Sequence, residues 1–149
     1  MPSLTHLRRP AVVALAILAL VALAGCGKSS SATKLRASMS GGAEVPGPGN
    51  DNASGIATVT PEPEKDRVCF DLKVNGVASP TAAHIHRGVK GQKGDIVVAL
   101  DPPASGSSKG CKPTDRALAK EIAEKPGDFY VNVHNAQFPN GAVRGQLSK

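Results

Sequence analysis

The chain has 149 residues, a formal net charge of +6, no tryptophan, one tyrosine and three phenylalanines. That length suits a single domain of ordinary size. With so few rings for base stacking, and with the basic residues spread along the chain, no nucleic-acid partner is expected.

Arg8 and Arg9 open the first element, and an unbroken apolar run follows over residues 11–24. A spanning helix needs about 20 apolar residues, so the run is too short to be one. A basic start, a short apolar stretch and small residues at its end read as a cleaved signal peptide over residues 1–25. It closes on Leu23-Ala24-Gly25-Cys26. These residues resemble the bacterial lipobox, whose cysteine receives a diacylglyceryl group and becomes the mature N-terminus. Acyl chains contribute roughly 0.8 kcal/mol per buried methylene, and more than one chain holds a protein firmly on a bilayer. Cys26 is therefore the expected lipid anchor. The mature chain is expected outside the cytoplasm, at the cell surface or in a periplasm. Residues 26–34, rich in Ser and Lys, read as the lipidated cysteine and a flexible tether.

Three cysteines are an awkward number for a secreted chain. Giving Cys26 to lipid leaves Cys69 and Cys111 as a pair in an oxidising compartment, where a disulfide is expected.

The domain proper runs over residues 35–149. Short apolar runs alternate there with turn clusters, which points to an all-β sandwich or barrel. Residues 35–40 form the first candidate strand, and residues 41–54, rich in Gly, Pro and Asn, a long loop. Residues 55–61 are the second strand and 62–66 a turn. Residues 67–74 give the clearest signal. Val68, Phe70, Leu72 and Val74 share one face, while Arg67, Cys69, Asp71 and Lys73 share the other. Residues 81–87 make a fourth strand, 88–94 a flexible glycine loop with basic residues, and 95–100 a fifth strand. Residues 101–113 read as a loop carrying Cys111. Residues 114–125 are the single helix. Thr114 is its expected cap, Asp115 suits its positive end, and Leu118 and Ile122 share a face. Pro126 and Gly127 end it. Residues 128–134 and 142–147 then form a terminal hairpin.

Three histidines lie in the domain: His84, His86 and His134. His84 and His86 flank Ile85, so they share one strand face. His134 shares parity with Tyr130 and Asn132, opposite Phe129, Val131 and Val133. Each imidazole thus falls on the polar side of its strand. If the two strands pair, three rings meet on one surface, which suits copper or zinc. Two half-exposed rings bonded to a loop are the competing structural reading. On the metal reading, the ring of His86 points away from the core, so removing it spares the fold. Asp95 is the nearest candidate for a fourth ligand. No catalytic serine elbow is present. No helix follows the glycines at 88, 91 and 94, so they form no phosphate cradle.

Six blocks in order carry a resemblance over most of the mature domain. They are Gly42-Ala43-Glu44-Val45-Pro46, Gly55-Ile56-Ala57, Ala83-His84-Ile85-His86-Arg87-Gly88, residues 94–100 (GDIVVAL), residues 130–134 (YVNVH) and residues 139–147 (PNGAVRGQL). In these, the chain resembles the CHRD domain, named for its repeats in the animal protein chordin and found in bacterial secreted proteins. The resemblance implies an immunoglobulin-like, Greek-key β-sandwich or barrel, with no established enzyme activity in the bacterial members. A second likeness is to copper–zinc superoxide dismutase, where His84, His86 and His134 match three copper ligands. The histidine that bridges two metals and the remaining zinc ligands are missing from this sequence. Arg144 is likened there to a substrate-guiding arginine, but it reads as a structural partner at the terminal hairpin. The expected function is a membrane-anchored, non-catalytic binding or structural module with an extracellular protein or matrix partner and a mononuclear metal site. The alternative is a small copper enzyme of dismutase type.

Overall fold

The structure is a computed structural model that describes residues 32–149. The expected signal peptide, Cys26 and most of the expected tether lie outside the described residues. Among the described residues, no helix is long and apolar enough to cross a membrane.

Eight strands and one helix follow in order: β1 (Leu35–Ser40), β2 (Ser54–Glu62), β3 (Arg67–Asn75), β4 (Ala82–Arg87), β5 (Asp95–Leu100), β6 (Ser107–Pro113), α1 (Arg116–Glu124), β7 (Phe129–His134) and β8 (Val143–Gln146). The strands form one antiparallel sheet in the order β5-β4-β7-β8-β1-β2-β3-β6. The sheet curls until its two edges, β5 and β6, approach each other, so the all-β fold takes a nearly closed barrel form.

Strand periodicity builds the interior. Val68, Phe70 and Leu72 of β3 are buried, while Asp71 and Lys73 face water. Leu35, Ala37 and Met39 of β1, and Ala57 and Val59 of β2, supply the same inward face. Each fully buried Val, Leu, Phe or Met side chain among these contributes roughly 1.5–3 kcal/mol. Ala119 and Ile122 join that core from α1. The helix cap is Asp115, whose side chain accepts a hydrogen bond from the Leu118 N–H at 2.7 Å. Thr114, the cap expected from sequence, sits one residue too early to reach that position.

Residues 107–113 were expected to lie in a loop and instead form β6, paired along β3 from Lys73↔Ser107 to Arg67↔Pro113. The segment, SSKGCKP, has no apolar alternation because it is an edge strand with no fully buried residue. Its place is set by the ladder and by the Cys69–Cys111 disulfide, which joins directly opposed residues with Cα atoms 3.9 Å apart.

β7 departs from half-buried alternation. Phe129, Val131 and Val133 enter the barrel core, yet Tyr130 and Asn132 on the opposite parity are also only 2% exposed. Loops fold over the outer face of β4, β7 and β8, making a second, polar layer there. Every buried polar or charged residue among the described residues comes from these strands or from the loops beside them: Glu44, His86, Asn132, Asn135 and Arg144.

Candidate metal centre

Antiparallel pairing of β4 with β7 aligns Ala82 with His134, His84 with Asn132 and His86 with Tyr130. Side chains on one sheet face recur every second residue, so this register sets His84, His86, Tyr130, Asn132 and His134 on a common outer surface. β8 continues it, with Arg144 opposite Asn132 and Gln146 opposite Tyr130.

The three histidines converge. One ring nitrogen from each lies within 4.8 Å of the others. His84 Nδ1 and His134 Nε2 are already 3.1 Å apart. Three nitrogens at about 2.0–2.1 Å from one ion are spaced roughly 3.3–3.5 Å, so a contraction of at most about 1.5 Å closes the set. His86 is the outlying member. Its ring centre lies 6.5 Å from that of His134, whereas His84 and His134 are 5.0 Å apart.

Orienting partners surround the rings. His134 Nδ1 lies 3.1 Å from the Pro139 carbonyl. A carbonyl only accepts, so this contact places the His134 proton on Nδ1 and leaves Nε2 as a lone pair. His86 Nδ1 meets the Gly94 carbonyl at 2.9 Å, and its Nε2 meets the Asn132 amide at 3.0 Å. Its ring stacks on Tyr130 with centres 4.7 Å apart and planes within 5°. Tyr130 in turn carries the Arg144 guanidinium 3.4 Å from its ring centre.

Burial sets the electrostatics. It pushes His84 down to about 4, helped by the charges of His134 and His86 and opposed by a hydrogen bond to Asn132. Burial also lowers His86 and His134, against the hydrogen bonds their rings donate to the carbonyls of Gly94 and Pro139 respectively. Each ring therefore favours the neutral form, which is the form that ligates metals.

The 88–94 loop forms the roof. The Gly94 N–H donates to the Tyr130 hydroxyl at 3.2 Å, Arg144 Nη2 donates to the Val89 carbonyl at 3.1 Å, and Gln146 Nε2 donates to the Gly88 carbonyl at 2.7 Å. A Cβ at Gly94 would overlap the Arg87 carbonyl, so glycine is what lets this loop fold back so tightly. The loop is thus tied to the sheet at Gly88, Val89 and Gly94, while residues 90–93 at its tip are exposed.

Several sequence expectations change. His86 is on the outer face but only 7% exposed, held by two hydrogen bonds and a stacked tyrosine, so its removal is expected to cost stability. Asp95 is exposed at the start of β5 and is not a member of the cluster. Arg144 is 2% exposed and donates to the Val89 carbonyl beneath the loop, in keeping with the structural role at the hairpin expected from sequence. Tyr130 and Asn132 carried a readable signal, since they share the parity of His134. Glu44 carried none. It is 5% exposed and its Oε1 has no protein hydrogen-bond partner. A side chain at Gly141 would overlap its carboxylate.

The model of the CHRD domain family matches residues 35–147. No curated protein and no solved structure matches the chain.

Proposed function

The chain belongs to the CHRD domain family, and on that premise we propose that it is an extracytoplasmic, non-catalytic binding module, held on a membrane through a lipidated Cys26, that carries one transition-metal ion at His84, His86 and His134. One observation carries the metal reading: three largely neutral imidazoles from two paired strands converge within 4.8 Å. Imidazole donors suit copper and zinc, and copper(II) binds such sites most tightly among divalent first-row ions. The carbonyls of Pro139 and Gly94 act as outer partners that fix ring tautomer and direction. An extracellular protein or matrix component is the proposed macromolecular partner.

Calorimetric titration of the purified domain with Cu(II) and with Zn(II) tests the site. One ion per chain is expected, and His134→Ala should weaken binding at least a hundredfold. No heat with either metal, or equal binding by His134→Ala, refutes it. Superoxide turnover by the copper-loaded domain would favour the dismutase-type alternative. Metabolic labelling with a fatty acid tests the anchor: label should enter the wild type and be absent from Cys26→Ser, and an unlabelled wild type refutes lipidation.

A further inference from the structure

Resting on the metal reading, we infer that Asn132 is a gating and positioning residue for the triad: its side-chain amide occupies the Nε2 of His86 in the metal-free protein, so an ion enters on His84 and His134 and captures His86 only when the amide yields.

Both nitrogens of His86 are committed. Nδ1 faces the Gly94 carbonyl at 2.9 Å and Nε2 faces Asn132 Oδ1 at 3.0 Å. A neutral imidazole has one N–H. The backbone carbonyl can only accept, so the proton sits on Nδ1 and the lone pair of Nε2 points at Asn132. Oδ1 has no proton to offer that lone pair, so a half-turn of the side chain about its last bond is what brings the NH2 to Nε2. The lone pair that a metal needs is therefore the one that Asn132 covers.

Geometry makes the two occupants exclusive. A metal ion sits about 2.0–2.1 Å from a ligating nitrogen along its lone pair. With the amide atom 3.0 Å from Nε2 in that direction, ion and amide would lie about 1 Å apart. One must leave.

The facing nitrogens of His84 and His134 point at each other rather than at Asn132. His134 presents Nε2 as a lone pair, because its Nδ1 proton goes to Pro139. His84 Nδ1, 3.1 Å away, shares a single proton with it. An ion replaces that proton while His84 shifts its own N–H to Nε2, so this pair opens without moving another side chain. Asn132 also sits in the right place to govern the order of entry. It lies directly opposite His84 on β4 and opposite Arg144 on β8, and it is 2% exposed.

The direction of one mutational effect separates a gate from an ordinary outer partner. Removing an outer hydrogen-bond partner that supports a ligand costs metal affinity, commonly 10–100-fold. Removing a competitor raises it, by up to about tenfold for one net hydrogen bond. The experiment titrates Cu(II) into the wild type and Asn132→Ala, and follows mixing by stopped flow. Tighter binding by Asn132→Ala is expected. The wild type should show two kinetic phases, a fast one for His84 and His134 and a slow one for His86, and these should merge in the variant. A purely structural role for Asn132 would lower the melting temperature without merging them. Should Asn132→Ala fail to fold, Asn132→Ser, whose hydroxyl is too short to reach Nε2, takes its place. Wild-type binding with equal or weaker binding by the variant overturns the gate and leaves the metal site standing. Binding by the variant alone supports the gate while overturning a loaded wild type. No binding by either protein overturns both.

Discussion

Replacing Glu44 with glutamine probes the polar layer beneath the loops, and its effect should depend on pH. Burial raises the Glu44 pKa from 4.5 to about 7, outweighing the attraction of Arg144 and a hydrogen bond from the Val45 N–H. Its Oε1 and the Nη1 of Arg144 are both buried without protein partners, so the two charges do not neutralise each other through a direct bond. The folded state keeps the proton over a range in which the unfolded chain has lost it. Stability from this group is therefore fully present below pH 4.5 and is lost as pH rises through about 7. At 1.36 kcal/mol per unit, a shift of this size amounts to about 3 kcal/mol as an upper figure. Glu44→Gln keeps the shape and cannot ionise. It should match the wild type near pH 4 and exceed it by up to about 3 kcal/mol at pH 8. Urea denaturation of both proteins at several pH values measures this, and the difference between them cancels every other titrating group. A pH-independent difference refutes the reasoning. A variant less stable than the wild type at pH 8 does so too, because the Arg144 attraction would then exceed the desolvation of the carboxylate.

Other substitutions test other layers. Reducing the Cys69–Cys111 bridge, which spans 42 residues, should cost about 4 kcal/mol on the chain-entropy model, and melting with and without reductant would show it; intact mass after alkylation without reduction should reveal no free thiol at either position. His86→Ala should lower stability in metal-free buffer by about 1–3 kcal/mol, judged by chemical denaturation, because it abandons the Gly94 carbonyl and Asn132; no change would bear out the sequence expectation that its removal spares the fold. Asp115→Ala should cost about 1 kcal/mol by leaving the Leu118 N–H uncapped, whereas Thr114→Ala should be close to silent.

The sequence by itself determined what depends on local pattern. Alternation in β3 fixed its inward and outward faces, because a strand has only two sides. The parity of His84, His86 and His134 fixed that they share the outer face once β4 and β7 pair. The CHRD resemblance over residues 35–147 was legible from six short blocks, and the disulfide from a count of cysteines. Tertiary structure alone decided three things. β6 exists because β3 offers it a ladder and Cys69 a covalent partner, and nothing in SSKGCKP announces a strand. His86 is buried because residues far along the chain roof the sheet: Val89 and Gly94 from one loop, bonded to Arg144 and Tyr130 on β8 and β7. Glu44 becomes a buried acid because its loop packs against Gly141, almost a hundred positions away. Period-two alternation reports which side of a strand a residue takes. Whether that side meets water is set by what folds over it, and that information lies in distant segments rather than in the strand.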